Sequence, residues 1–89
     1  MPTEQQIQKK ILDYIKDLDR CWAVKTINTN KNGTPDIIGV IEGRFFGLEV
    51  KAPGNKPSPL QLYQIDQIQQ SGGIAGVVYS VDDVKELLC

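Results

Sequence analysis

The 89-residue sequence contains no histidine and only two cysteines, Cys21 and Cys89. The absence of histidine excludes histidine-based catalytic triads, histidine general bases and most zinc sites. Two cysteines this far apart form neither a disulfide framework nor a metal knuckle, so both are expected to be reduced thiols. Any catalytic site in this chain must therefore work without histidine.

Long hydrophobic runs are also missing. No apolar stretch approaches the roughly 18 residues of a membrane span. Residues 1–20 are polar and lack the apolar core of a signal peptide. These absences predict a cytoplasmic protein with no membrane partner. The length predicts one domain, residues 1–89, whose thin core would benefit from a second copy of the chain or a bound metal.

Neither sign of charge is in large excess, since the net charge is −1 at neutral pH. Residues 1–57 carry nine basic and seven acidic side chains, whereas residues 58–89 carry one basic and four acidic side chains. Bulk charge therefore does not attract nucleic acid to this chain. If DNA is the partner, a local basic patch or a metal ion must supply the attraction.

Hydrophobic periodicity and turn residues predict seven elements in the order αβββαβα, without an internal linker. Apolar residues at helical spacing predict helices over residues 3–18, 60–71 and 81–88. Apolar runs bounded by turn residues predict strands over residues 21–28, 36–41, 44–51 and 74–79. Glu42-Gly43 predicts a two-residue hairpin between the second and third strands.

The register of this hairpin predicts two carboxylates opposite each other. If Ile41 faces Arg44, Asp36 faces Glu49 with Cβ atoms about 4.5–5.5 Å apart. Two carboxylates this close repel each other, so one is protonated unless a cation lies between them. A hard divalent cation fits such an oxygen-rich pair. Lys51 points to the same strand face as Glu49; the alternative is an edge strand with a solvated Glu49–Lys51 ion pair.

Glu4 and Gln61 are polar residues on the apolar stripes of the first and second predicted helices. Their positions make them candidates for the same site. For Glu4 the alternative is a simple preference for the positive end of the helix dipole. For Gln61 the alternative is a residue that satisfies free backbone donors at a helix start.

Phosphodiester hydrolysis is the chemistry that suits Asp36, Glu49 and Lys51. A divalent metal neutralises the scissile phosphate and lowers the pKa of its bound water. A neighbouring lysine can orient or deprotonate the attacking water and stabilise the developing charge. None of these roles requires histidine.

Four short motifs together resemble the VRR-NUC family (virus-type replication-repair nuclease), a branch of the PD-(D/E)xK nuclease superfamily. They are Gly33-Thr34-Pro35-Asp36, Leu48-Glu49-Val50-Lys51, Ser58-Pro59-Leu60-Gln61 and Gly72-Gly73. Pro35-Asp36 matches the PD of the superfamily motif, and Glu49-Val50-Lys51 matches its ExK. The likeness covers nearly the whole chain. It implies an α/β, restriction-endonuclease-like fold with an αβββαβ core and a mixed four-stranded sheet flanked by helices.

The resemblance also implies a site and an activity. Glu4, Asp36 and Glu49 are expected to hold Mg²⁺ or Mn²⁺ with the Val50 carbonyl as a further ligand. Lys51 is the implied catalytic lysine, and Gln61 supports the site. The implied enzyme is a metal-dependent endodeoxyribonuclease that cuts branched DNA, such as four-way junctions, as a homodimer. In its short length the chain resembles stand-alone phage members of the family. This resemblance implies action in the cytosol of a host cell.

Two alternatives remain open from the sequence. One is a nucleic-acid-binding module that keeps the fold without cutting, although the intact Asp36, Glu49 and Lys51 set argues against it. The other is a nuclease for flaps or nicked duplex. Candidate phosphate contacts are Lys9, Lys10, Lys25, Lys31 and Lys56. The aromatic residues expected in the core or on a dimer surface, rather than as base-stacking platforms, are Trp22, Phe45, Phe46 and Tyr63.

Overall fold

The computed structural model describes all of residues 1–89, and its elements follow the predicted order. They are α1 (Glu4–Ile15), β1 (Cys21–Lys25), β2 (Ile37–Ile41), β3 (Arg44–Val50), α2 (Pro59–Gln70), β4 (Ile74–Val78) and α3 (Val81–Leu88). The predicted α/β class is confirmed. None of the three helices has the length and apolar character that crossing a membrane would require.

The four strands form one mixed sheet in the order β1-β2-β3-β4. β1, β2 and β3 pair antiparallel, and β4 pairs parallel to β3 because α2 carries the chain back between them. Both residues of the β2–β3 turn have positive φ, 50° at Glu42 and 82° at Gly43. Such values suit a two-residue hairpin. Ile41 pairs with Arg44, so the predicted register is confirmed.

Helices α1 and α2 begin with the same capping arrangement. The Thr3 hydroxyl accepts from the Gln6 N–H, and the Gln6 side chain accepts from the Thr3 N–H. Ser58 and Gln61 repeat this exchange at the start of α2. A reciprocal cap satisfies two backbone donors that have no partner within the helix. These caps fix the starts of the two helices, and Glu4 and Gln61 lie in the first turns.

Alternate side chains of β3 serve two different layers. Phe46, Leu48 and Val50 are fully buried in a core shared with α1 and α3. The intervening positions face α2. A Cβ at position 47 would lie 3.0 Å from Pro35 Cγ and 3.2 Å from Ile68 Cδ1, so α2 packs closely over Gly47. Glu49 lies on this same α2 side, near the end of β3.

β1 ends three residues earlier than predicted, at Lys25 rather than Asn28. The chain leaves the sheet at Thr26, whose hydroxyl donates to the Pro35 carbonyl over 2.8 Å. Ile27 is consequently 88% exposed. Asp36 and Lys51 were predicted inside strands but lie one residue before β2 and one residue after β3. Both are therefore at strand ends, where their side chains are less constrained by the sheet.

Part of the sheet carries exposed apolar side chains. Trp22 and Val40 are cross-strand partners, and with Val24 they form what we call the β1–β2 face. Trp22 is 63% exposed, and Val24 and Val40 are more than one-third exposed. The four aromatic residues that were expected in the core or on a dimer surface therefore fall into two groups. Phe46 is in the core, and the other three aromatic residues of that set are exposed: Trp22, Phe45 and Tyr63.

Candidate active site

Polar side chains from separate segments meet where β3 ends. Asp36 precedes β2, Glu49 and Lys51 flank the last residue of β3, and Gln61 is in the first turn of α2. Extending the β2–β3 register by one residue places Asp36 opposite Glu49. When one of the two carboxyl groups is protonated, it can donate a hydrogen bond to the other. The structure therefore brings together the pair that the hairpin arithmetic predicts.

Glu49 is the buried centre of this group, with 2% of its surface exposed. Its Oε2 accepts from Gln61 Nε2 over 3.2 Å and lies 4.0 Å from Lys51 Nζ. Its Oε1 is buried without any hydrogen-bond partner. An unsatisfied buried carboxylate oxygen is costly. This feature argues against the solvated ion pair that was the sequence-based alternative.

Asp36 is oriented by backbone groups on both sides. Its Oδ2 accepts from the Val50 N–H over 2.9 Å. Its own carbonyl accepts from the Thr26 N–H over 2.8 Å and from the Thr26 hydroxyl over 3.1 Å. These bonds fix the residue just outside β2 and aim its carboxylate across β3. Val50, whose carbonyl is predicted as a metal ligand, contributes its N–H here by holding Asp36.

The electrostatics of the pair favour one bound proton. Burial raises the pKa of Glu49 to about 8, helped by the hydrogen bond and the negative charge of Asp36. The charge of Lys51 lowers the pKa of Glu49, whereas the charge of Glu4 raises it further. Near neutral pH without a cation, the Asp36–Glu49 pair therefore favours keeping one proton, with Glu49 as the group whose pKa is raised. A shared proton is the state expected from the sequence for two carboxylates placed opposite each other.

Glu4 occupies the edge of the site and is held by the loop after β3. Its Oε2 accepts from Asn55 Nδ2 over 2.9 Å and from the Ala52 N–H over 3.4 Å. The hydrogen bond from Asn55 is the main cause that lowers the pKa of Glu4. No three acidic, histidine or cysteine side chains are gathered closely enough to form a metal cluster by themselves. Glu4 is thus near Asp36 and Glu49 but does not converge with them.

Gln61 makes both of the contacts that its two sequence-based interpretations describe. Its Oε1 accepts from the Ser58 N–H over 2.8 Å, which caps α2. Its Nε2 donates to Glu49, which supports the site. The cap decides the orientation of the amide, because the oxygen must face the backbone donor and the nitrogen then faces the carboxylate.

Three supporting residues were not found from the sequence. Asn55 holds Glu4, and the Tyr79 hydroxyl donates to the Asn55 carbonyl over 3.1 Å. Thr26 holds the backbone of Asp36. Asn55 is 51 residues from Glu4, and no periodicity connects positions so distant. The proline-rich composition of residues 52–59 signals a loop, but not which helix that loop contacts.

The residues present fit a hard divalent cation. Carboxylate and carbonyl oxygens are the ligands that Mg²⁺ and Mn²⁺ prefer. Glu49 has a buried, unpartnered oxygen, Oε1, and the Asp36–Glu49 pair favours retaining a proton when no cation is bound. A divalent cation would replace that proton and satisfy the buried oxygen.

Comparisons with known proteins find relatives of this chain in sequence and in fold. The sequence profile described as "VRR-NUC domain" matches residues 3–82. A protein of Acyrthosiphon pisum secondary endosymbiont phage 1, named "Putative nuclease p44", is 32% identical over 60 residues, which are 66% of this chain and 63% of that protein. The chain thus spans less than two-thirds of this relative.

Two solved structures share the fold. One is titled "VRR_NUC domain" and superposes with a TM-score of 0.79 at 26% identity, covering 98% of this chain and 96% of the other. The second, "VRR_NUC domain protein", has a TM-score of 0.78 and 20% identity, covering 98% of this chain and 85% of the other. At 20% identity the second likeness concerns the fold alone.

Proposed function

Because the chain belongs to the VRR-NUC family of nucleases, we propose that it is a metal-dependent, structure-specific endodeoxyribonuclease acting on branched DNA. The observation that carries the proposal is the half-buried Asp36 opposite the buried Glu49, one oxygen of which has no hydrogen-bond partner. Lys51 stands 4.0 Å from that pair, measured from Nζ to Glu49 Oε2. A structural ion pair would have no reason to leave one buried oxygen unsatisfied.

The metal ligands in this proposal are Asp36, Glu49 and the Val50 carbonyl, with Glu4 at the edge of the site. When bound, Mg²⁺ or Mn²⁺ neutralises the scissile phosphate and lowers the pKa of its water. The chain's own residues complete the site. Gln61 holds Glu49 in place, and the Val50 N–H holds Asp36. Lys51 orients the attacking water and stabilises charge that develops on the phosphate oxygens.

The substrate in this proposal is a branched DNA such as a four-way junction, met in the cytosol of a host cell. Cutting a junction on two strands requires two active sites, and hence a homodimer. The β1–β2 face is an exposed apolar surface next to an edge strand with unpaired backbone groups. A second copy docked there would cover the apolar side chains and the open strand edge.

Cleavage of labelled DNA tests the proposal. A four-way junction, a flap, a nicked duplex and a plain duplex are each incubated with Mg²⁺, Mn²⁺ or EDTA. We expect cutting of the junction in either metal, none in EDTA and none by the Asp36→Asn variant. Junction binding without cutting in any metal would instead identify a binding module. Faster cutting of the flap or nicked duplex would correct the substrate.

A further inference from the structure

A cavity of about 370 Å³ lies between α2 and the loop before β2 and reaches Pro35, the residue before Asp36. We call it the α2–β3 cavity. Its walls include Lys31 and Pro35 from that loop, Phe45 from β3, and Gln64 and Gln67 from α2. Gln64 ties the two walls together, because its amide donates to the Asn32 carbonyl over 3.3 Å. The volume is within the range of pockets that bind small molecules.

The cavity runs away from the carboxylate pair along β3 and α2. Pro35 at one end is the neighbour of Asp36 in sequence. Phe45 at the other end is four residues before Glu49, which corresponds to about 13 Å along a strand. On α2, Gln61, Gln64 and Gln67 follow one another at three-residue spacing, a rise of about 4.5 Å for each step. A DNA strand that leaves the active site and follows the outer surface formed by α2 and the loop before β2 would reach the cavity within about four nucleotides, at roughly 3.4 Å for each.

The chemistry of the walls matches a nucleobase. The Phe45 ring is 41% exposed and offers a flat apolar surface for stacking. A Cβ at Gly73 would lie 3.3 Å from Phe45 Cδ2 and 2.8 Å from Ile68 Cγ2, so a larger residue there would crowd this wall of the cavity. The Gln67 side chain makes no hydrogen bond within the protein, and its amide can both donate to and accept from a base edge.

The charge of the cavity also favours a nucleotide. Lys31 is the one charged residue among the nine that line it, and no acidic residue is present. A phosphate beside the bound base would therefore meet a cation and no repelling carboxylate. The acidic residues 82, 83 and 86 belong to α3, which packs on the other side of the sheet with α1.

We propose that the α2–β3 cavity binds one unpaired nucleobase of the DNA strand that is cut. The inference rests on the proposed nuclease function and deepens it, because it supplies a physical reason for choosing branched DNA. Bases in a plain duplex are paired and stacked, so placing one in the cavity requires extruding it. Bases at a branch point are already free or easily freed. Phe45 thereby acquires a base-stacking role that the sequence did not predict.

A thermodynamic cycle on binding tests this inference. The Lys51→Ala background with Mg²⁺ keeps the DNA uncut, and the probe is a fluorescent synthetic four-way junction. Versions of the junction lack one base at a time within four nucleotides of the branch point. At one position, loss of the base should weaken binding about tenfold when the cavity is intact. Adding Phe45→Leu or Gln67→Ala should largely abolish that difference.

The matched control is Gln70→Ala, one helical step beyond Gln67. Gln70 lies outside the cavity lining and donates to Asp66 over 2.8 Å, so this variant should keep the full tenfold effect. The inference is overturned if no abasic position weakens binding, or if Phe45→Leu and Gln67→Ala both retain the same loss. If the cycle shows coupling but the wild-type protein cuts no DNA, the cavity assignment stands and the nuclease proposal fails.

Discussion

Gln61 donates from Nε2 to Glu49 Oε2 over 3.2 Å while its Oε1 caps the start of α2. A single side chain thus links the helix terminus to the buried carboxylate of the site. The link is directional, because the cap uses the acceptor half of the amide and leaves the donor half for Glu49. The position of α2 and the orientation of Glu49 are therefore maintained by the same residue.

Two substitutions separate the roles of Gln61. Gln61→Glu keeps an acceptor for the Ser58 N–H, whereas Gln61→Ala removes it. At pH 5.5 we expect Gln61→Ala to lower the free energy of unfolding by about 1 kcal/mol, as loss of a helix cap does. Gln61→Glu should stay near wild type there, because protonated Glu49 can donate to the new carboxylate. Denaturant unfolding provides the measurement, and equal stabilities for both variants at pH 5.5 would contradict the capping role.

The stability of the fold should depend on pH through Glu49. In the folded chain burial raises the pKa of Glu49 to about 8, against an ordinary value of 4.5. Between these values the folded state binds more protons than the unfolded state, so stability falls as pH rises from about 4.5 to 8. The free energy of unfolding therefore decreases by on the order of 1 kcal/mol for each pH unit in that window.

Glu49→Gln is the matched variant for this pH dependence, because the amide has the same shape and no charge to titrate. We expect its free energy of unfolding to be nearly flat between pH 5 and 8, and to exceed the wild-type value at pH 8. Thermal unfolding at several pH values measures both slopes. Parallel slopes for the two proteins would show that Glu49 does not hold the proton.

The part of the site that local patterns determine could be predicted from the sequence. Glu42-Gly43 allows a two-residue turn, which sets the register and places Asp36 opposite Glu49. The capping spacing from Ser58 to Gln61 is equally local. By contrast, the end of β1 depends on a hydroxyl bond from Thr26 to Pro35, nine residues away. No sequence pattern shows which distant carbonyl a threonine will contact.

The surroundings of Glu4 illustrate the same limit. Its helical position is visible in the sequence, but its carboxylate is held by Asn55 from a loop 51 residues away. The α2–β3 cavity likewise depends on how that helix lies over β3. Periodicity predicts that α2 has an apolar side. It does not predict the space that the folded chain leaves between Phe45 and the α2 residues Gln64 and Gln67.

Metal binding should require the carboxylate pair. Calorimetric titration with Mn²⁺ should show binding by the wild-type chain that Asp36→Asn abolishes or greatly weakens. Affinity should rise as pH is raised toward 8, because the cation must displace the proton held by Glu49. Asp82→Asn, at a side chain that is 91% exposed, is the control and should bind like wild type. Equal binding by Asp36→Asn would disprove the assigned ligands.

The β1–β2 face should carry the dimer contact. A charged side chain at its centre, as in Trp22→Lys, should convert a homodimer to a monomer, since burying an unpaired ammonium is costly. Light scattering at tens of micromolar measures the mass. Tyr63→Lys, at another exposed aromatic position on α2, is the matched control and should remain dimeric. A wild-type monomer that still cuts both strands of a junction would refute the dimer.

Lys51 should separate catalysis from binding. Its Nζ is 4.0 Å from Glu49 Oε2, and its side chain is only 15% exposed, so the ammonium is directed toward the site. Lys51→Ala should reduce single-turnover cleavage by about 10²–10⁴-fold, the effect of losing a positioned electrostatic or acid–base group. Junction affinity should change far less, because one lysine is a small share of the phosphate contacts. Lys51→Arg should also fail, because a planar, forked guanidinium does not place its charge and donors where the compact lysine ammonium does.

The comparison that decides the role of Lys51 is cleavage rate against junction affinity in the same three proteins. Wild type, Lys51→Ala and Lys51→Arg are measured by single-turnover cleavage with Mg²⁺ and by a binding isotherm. Near wild-type cutting by Lys51→Ala would reduce the lysine to an ion-pair partner of Glu49. A parallel fall in rate and affinity would make it a DNA contact. Loss of rate with affinity retained is the result that a catalytic lysine requires, because its contribution is then made to the transition state and not to the bound DNA.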